Sequence, residues 1–533
     1  SPTSSGMACR GRRSRVAWVS LLDLRVMTLS VAKLISRWRV HWVPRNGAVV
    51  ASDHPVLQRW IDLGEREAAC RIDPGDVFLV DPDQRVDARL TLYLTRSSFA
   101  RLARETRRNY AGDCCLFFNF LWSRGKGWDR ATAEDLLDFE DWRRWSTRNP
   151  RRISGAKWNR ELAALGRLYG WAVRRGFLPV SPVTEREVRG RHGELVRVPA
   201  ARAKAVRSSN VKWLTPRAYR LWRDVGLRGY DADGRRDPRW RGRNDDRNAA
   251  YSDVLFSSGM RRSEGGSLLT IEVPEMAASD RLYFDARLGR EATKSRRERT
   301  FYVSADALRA VWAYVNTTRR AAVRRAQAHG RYELGAEQMV VVDRSGHAGR
   351  VLHCRLGDGQ VVRRHVTTLD VEERRWLFVQ SEQGLEPLWL WLAEDGLPFL
   401  PHSWEAVYRA ASQRCEVQLA GRVRQTPFFT PHMARHSFAL YMLVALQHAL
   451  DNRFGLSVEE RHDFRLLYGD AWSLVKNLLD HASEETTRSI YLAPVSDLQV
   501  RSLLQEQVDG GATELLAQIA RQSERVMDTE GGW

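Results

Sequence analysis

A chain of 533 residues is too long for one hydrophobic core and reads as two to four domains. Its 43% apolar content excludes global disorder, and a net charge of +20, rich in arginine, points to a polyanionic partner. No apolar run approaches the length of a membrane span, and the short Val16–Leu22 stretch is flanked by arginines, so neither a signal peptide nor a transmembrane segment is expected. The cysteines at 9, 70, 114, 115, 354 and 415 form no CxxC pair. They indicate neither a metal site nor a disulfide framework and fit a reducing cytoplasm.

Residues 1–88 form an N-terminal extension of unknown role, with an extended-looking Val77–Val80 closed by Asp81-Pro82. Residues 89–183 read as an all-helical domain. Its first clear helix spans Arg104–Trp122, with Thr106 as N-cap and Tyr110, Cys114, Phe117, Phe118 and Leu121 on one side. A capping-box pattern at Ala131–Glu134 opens a second helix through about Trp145. Lys157–Arg175 is a third, with Leu162, Leu165, Leu168, Tyr169 and Val173 inward and Gly176 at its end. Basic side chains crowd the outer face, and Arg107, Arg108, Lys157 and Arg160 are nominated as DNA contacts.

Residues 184–210 read as a flexible basic linker. A mainly α domain with a small antiparallel sheet follows over 211–506. Helices are expected at Trp213–Val225 and Asn248–Ser257, strands at Ser267–Val273, Leu282–Ala286 and Thr300–Ser304, and a long helix at Ala305–His329. An arginine-, aspartate- and glycine-rich stretch at 227–247 interrupts it, and residues 331–400 look like an insertion with strand-like pieces at Met339–Val342 and Gln360–His365. Residues 402–506 read as helical, and 507–533 as a C-terminal tail.

The chemistry concentrates in the last quarter. In Thr430-Pro431-His432-Met433-Ala434-Arg435-His436-Ser437, Thr430 is a natural N-cap with Pro431 in the first helical position. His432 and Arg435 then share one face of the first turn, over the positive helix end, while His436 packs inward. Asp480-His481 and the segment Thr486-Thr487-Arg488-Ser489-Ile490-Tyr491 follow. A phenol near two imidazoles and a guanidinium suits attack on a phosphodiester, and nothing in the set requires a metal or other cofactor.

This ordered set resembles the tyrosine recombinase (phage integrase) family, over roughly residues 90–500. The family carries H-x-x-R, a later G-H and a nucleophilic tyrosine. Its earlier arginine segment is matched by Ser258-Gly259-Met260-Arg261-Arg262-Ser263-Glu264, and its hairpin lysine by Lys294 in Lys294–Val303. Two departures stand out: Asp480 occupies the glycine position before the second histidine, and His481 to Tyr491 spans ten steps where nine is commoner. The resemblance implies an all-helical SAM-like core-binding domain ahead of an α+β catalytic domain. It implies a site-specific recombinase or integrase that joins DNA through a 3′-phosphotyrosyl link, with Tyr491 as nucleophile and Arg261, Lys294, His432, Arg435 and His481 as its catalytic partners.

Implied partners are double-stranded DNA with inverted half-sites, further copies in a homotetramer on synapsed DNA, and an accessory directionality protein. The implied location is the cytoplasm, at the nucleoid. Leu498, Val500, Leu503, Leu504 and Val508 suggest a tail helix that docks on a neighbouring protomer. Competing readings are a type IB topoisomerase with the same chemistry, a non-catalytic DNA-binding regulator on the same scaffold, and a metal-dependent nuclease. The last lacks a DDE or HNH spacing.

Overall fold

The computed structural model describes residues 37–43, 69, 73, 75–189, 194–203, 212–276, 281–333, 338–448, 470–481, 487, 512–523 and 525–529. The chain divides into two compact units, Ser1–Ser208 and Ser209–Trp533.

The first unit pairs β1 (Arg39–Trp42) with β2 (Val77–Val80) antiparallel, then runs through α1 (Ala88–Arg96), α2 (Arg104–Trp122), α3 (Ala133–Arg144) and α4 (Gly155–Arg174). Its core is aromatic: Phe117, Phe118, Phe139, Trp158 and Tyr169 are all buried. Each such side chain contributes about 1.5–3 kcal/mol when taken out of water. The α2 helix has the expected bounds, but Ala103 rather than Thr106 is its N-cap, and no side chain caps it. Thr132 caps α3 with Asp135 completing the capping box, and Ser154 caps α4 through the Lys157 amide. Inside the unit, Arg143 makes a buried fork to Glu161, at 2.6 and 3.0 Å.

The stretch expected as a linker contains a hairpin, β3 (Glu185–Arg189) with β4 (Leu195–Pro199). Beyond it, the Ala201 and Ala203 carbonyls accept from Trp158 Nε1 (2.8 Å) and Asn159 Nδ2 (3.3 Å) on α4. In β3 the alternation leaves Glu185, Glu187 and Arg189 exposed on one face and Arg186 and Val188 half-buried on the other.

In the second unit, β5 (Trp213–Leu214) replaces the expected start of a helix and pairs in parallel with Val526–Met527 near the end of the chain. Thr215 caps α5 (Pro216–Trp222), and proline at the first helical position explains the late start. Next come α6 (Asp245–Ser258), the short α7 (Arg262–Gly266), and the antiparallel hairpin β6 (Tyr283–Leu288) and β7 (Arg299–Ser304). Ser267–Val273, expected as a strand, instead closes as a single turn: the Glu272 carboxylate curls back to accept the Leu269 amide at 3.1 Å. The long helix is real but carries a wide π-turn at Val315–Arg319 between α8 (Ala305–Tyr314) and α9 (Arg320–Ala328). From that turn the buried Arg319 donates to the carbonyls of Leu390 (3.1 Å) and Trp389 (3.2 Å).

The 331–400 segment holds a five-stranded sheet of β8 (Met339–Ser345), β9 (Val351–Arg355), β10 (Val361–His365), β11 (Leu377–Ser381) and β12 (Gly384–Pro387), in the order β10-β9-β8-β11-β12. It is mixed rather than purely antiparallel, because β8 and β11 run parallel. Further helices among the described residues include α10 (Trp404–Leu419), α11 (Pro431–His448), α12 (Ala471–Leu479) and α13 (Ala512–Gln522). Leu516 and Ile519 of α13 pack with Phe438 and Leu443 of α11 and Val475 of α12. The mainly helical fold with small sheets matches the expected class. Among the described residues no helix is long and apolar enough to cross a membrane.

Candidate active site

The α6 helix ends at Gly259 with φ of 63°, a left-handed position. A Cβ there would lie 2.3 Å from Phe438 Cδ1, so glycine is required both for backbone angle and for space. This tight turn aims two groups: the Gly259 carbonyl accepts from Arg435 Nη1 at 2.8 Å, and Arg261 follows two residues later. Arg435 is buried, and its Nη2 donates to the Leu479 carbonyl at the end of α12. Two backbone carbonyls from separate elements therefore fix this guanidinium.

Arg261 precedes α7 and is fixed by Glu264. The Glu264 carboxylate accepts the Arg261 amide (2.9 Å) and Arg261 Nη1 (2.7 Å), and also Arg299 Nη2 from β7 (2.7 Å). Burial alone would raise this carboxyl, but the charges of Arg299, Arg261 and Arg435 prevail and hold it at about 2. Glu264 and Arg299 were not singled out by sequence reasoning; the signal available was Glu264 three residues after Arg261, the spacing that closes one helical turn.

Lys294 is exposed in the turn between β6 and β7. Thr293 Oγ1 donates to carbonyl oxygens in that turn, with Arg290 and Arg297 each at 2.9 Å, and Ser295 Oγ donates to the Asp480 carboxylate. Asp480 itself ends α12 in the left-handed region, φ 53°. Glycine adopts this region without penalty, and aspartate is among the few other residues that tolerate it.

As expected, Thr430 Oγ1 accepts the Met433 amide (3.2 Å) at the start of α11. His432 is open to the cavity, and His436 is buried behind it, with the two Nε2 atoms 3.1 Å apart and the His436 ring edge-on to Trp213. Burial, then the charges of Arg435, Lys294 and Arg261, push His432 below its ordinary value. Burial, then His432 and Arg435, push His436 down to about 2. His481 is pushed down to about 3 by burial and then by Arg435, Arg261 and Arg299, and its Nδ1 lies 2.8 Å from Thr487 Oγ1. His436 and His481 are therefore neutral at pH 7.

Arg261, Lys294, His432, Arg435 and His481 all line one cavity of about 1020 Å³, together with Arg262, Arg409 and Asp480. Tyr491 lies outside the described residues, as do the tail positions 498–508. The nominated contacts on the helical domain are distributed differently. Arg108 is exposed, whereas Arg107 sits 3.9 Å from Asp76, and Lys157 and Arg160 both bind the buried Asp113 carboxylate, at 2.8 and 2.9 Å. Among the described residues no group of three or more His, Cys, Asp or Glu side chains is arranged to hold a metal ion.

A family model described as the phage integrase, N-terminal SAM-like domain matches residues 93–176. Residues 93–176 are therefore similar to a phage integrase SAM-like domain. This domain is the helical layer built from most of α1 and all of α2, α3 and α4. No curated protein matches the chain. Among solved structures, that of XerA recombinase is 15% identical, covering 81% of this chain and 96% of that one, with a TM-score of 0.27. XerH site-specific recombinase bound to palindromic difH substrate is 12% identical over 79% and 85%, with a TM-score of 0.39. The Tn1549 transposon integrase in complex with circular intermediate DNA is 10% identical over 78% and 98%, with a TM-score of 0.38.

Proposed function

We propose that the protein is a site-specific DNA recombinase that cuts and rejoins strands through a phosphotyrosyl link made by Tyr491. The observation that carries this reading is the convergence of Arg261, Lys294, His432, Arg435 and His481, from four separate stretches of chain, on one cavity. Two pre-positioned guanidiniums suit the non-bridging oxygens of a phosphodiester, whose charge grows in the pentacoordinate transition state. The Tyr491 oxygen bonds to phosphorus while its proton passes to His432, which its depressed pKa keeps available as an acceptor. The bond from phosphorus to the 5′ oxygen breaks, and Lys294 supplies the proton that this oxygen needs to leave. A neutral His481 donates its ring N–H to the phosphate. Reversal with an incoming 5′-hydroxyl reseals the strand and releases Tyr491, so bond energy is conserved without a nucleotide cofactor.

The test is recovery of protein–DNA adducts from expressing cells under denaturing conditions, with the junctions sequenced. Wild type yields adducts at discrete sites, and Tyr491→Phe binds DNA but yields none. Adducts that persist in Tyr491→Phe overturn the assignment of the nucleophile.

A further inference from the structure

The arginine-rich stretch between α5 and α6 is not absorbed by the candidate active site. Residues 228–243 contain arginine at 228, 235, 236, 239, 241 and 243 against aspartate at 231, 233 and 237, a surplus of 6 − 3 = +3. The stretch is folded around Trp240: a Cβ on Gly229 or Gly242 would lie 2.2 or 1.9 Å from its ring, Arg414 lies over it at 4.8 Å, and its Nε1 donates to Asp245 at 2.8 Å.

All three aspartates are engaged. Asp231 accepts the amides of Asp233 and Arg235 (both 2.9 Å), Asp233 pairs with Arg422 (2.7 Å), and Asp237 pairs with Arg414 (2.8 Å). Arg414 and Arg422 come from outside the stretch. They neutralise Asp237 and Asp233, while Arg235, Arg239, Arg241 and Arg243 stay exposed. The same surface continues onto α9. Glu394 receives Arg243 Nη1 on its carboxylate (3.0 Å) and Arg325 Nη2 on its carbonyl (3.1 Å), and Arg324 and Arg325 lie opposite the buried Ala322, Val323 and Ala326.

This cationic surface is not the cavity's rim. Glu405, Tyr408 and Arg409 face the cavity from α10, whereas Arg414 grips the loop nine residues after Glu405. Nine steps of about 100° place it about half a turn away, on the other flank of the helix. We infer that Arg235, Arg239, Arg241 and the α9 arginines form a second, sequence-independent nucleic-acid surface that holds a duplex segment other than the one in the cavity. The inference rests on the reading of the chain as a DNA-acting enzyme. Exposed guanidiniums with two of the three local acids neutralised favour a phosphate backbone, which exchanges condensed counterions for arginine.

The experiment uses the full chain, mixed-sequence duplexes and a bead assay in which protein on one immobilised duplex captures a second, labelled one. Wild type captures the second duplex. R235Q/R239Q/R241Q still binds the first, loses capture, and shows a log K against log salt slope shallower by about 2 to 3. R324Q/R325Q, on α9 rather than in the loop itself, reproduces the loss in part and guards against a local folding defect of the loop. A triple variant equal to wild type in slope and capture overturns the inference alone. So does a variant that keeps capture but loses binding to poly-glutamate, which would assign the surface to an acidic protein. A wild type that binds no duplex at low salt overturns the proposed function as well.

Discussion

His432 and His436 face each other Nε2 to Nε2 at 3.1 Å, one ring open to the cavity and the other buried behind it. When both are neutral, one nitrogen must carry the shared proton and the other must accept it. The tautomer of the inner ring therefore sets that of the outer. His436 acts as a positioning residue. His436→Phe is expected to keep DNA binding but slow single-turnover adduct formation by about 10–100-fold, below the roughly 100–10,000-fold of a direct acid–base group as fits a positioning role, with partial recovery in His436→Gln. Equal rates in wild type and His436→Phe would remove the role.

The cluster around Glu264 gives a stability prediction. Its carboxylate holds Arg261, which lines the site, and Arg299, which begins β7. Removing one partner of a buried ion pair leaves the other charges uncompensated, at a cost of about 3–5 kcal/mol. Glu264→Ala is expected to lower stability by this amount in denaturant melts, with Glu264→Gln less affected because it still accepts a hydrogen bond. A change below about 1 kcal/mol would show that water replaces the carboxylate.

Acid stability follows from the same groups. His436 and His481 titrate at about 2 and about 3 in the folded protein, against an ordinary 6.5 in the unfolded chain. Between those limits the unfolded state binds more protons, so stability is constant above about pH 6.5 and falls as pH drops toward 3. Each histidine contributes a slope of at most about 1.4 kcal/mol per pH unit. Glu264, depressed to about 2 from 4.5, adds to the loss only below pH 4.5. Chemical denaturation across pH 4–7 should show the histidine slope, reduced in His436→Phe. A flat profile would mean that these rings protonate freely in the folded state.

Much of this was legible in the chain. Helical spacing gave the core of α2 and α4, with Phe117, Phe118, Leu162 and Leu165 buried as expected, because one apolar stripe per helix leaves little choice of inward face. Of the motif side chains, Arg261, Lys294, His432, Arg435 and His481 share one cavity, while Tyr491 lies outside the described residues. Local pattern could not anticipate β5, whose partner Val526–Met527 lies three hundred residues on, nor the turn at Leu269–Glu272, where a carboxylate overrides strand propensity. The 331–400 sheet was visible as strand-like pieces, but its parallel pair joins Met339–Val341 to Leu377–Val379, which local pattern does not link. Arg414 and Arg422 are remote from the 228–243 loop in sequence, so its charge balance appears only in three dimensions.

Gly259 tests the turn that aims both arginines. At φ 63° any Cβ meets a backbone penalty of about 1–2 kcal/mol, and this one also collides with Phe438. Gly259→Ala is expected to lose stability by more than the backbone share alone. Measured against Phe438→Leu alone, adding Gly259→Ala should cost less than it does in wild type, because only the steric share is relieved. Strict additivity of the two changes would show that the ring already moves aside.

Asp480 separates a structural cost from a functional gain. It holds a left-handed position where glycine is more comfortable, yet its carboxylate accepts Ser295 Oγ and so tethers the turn that carries Lys294 to the end of α12. Asp480→Gly should therefore raise stability by up to about 1–2 kcal/mol through relief of the backbone, while freeing the turn. If Lys294 must be held to protonate the leaving oxygen, strand cleavage slows in Asp480→Gly although the protein is more stable. Asp480→Asn, which keeps both an acceptor and tolerance of this region, retains the rate. A more stable Asp480→Gly with unchanged cleavage would show that Lys294 finds its position without the tether.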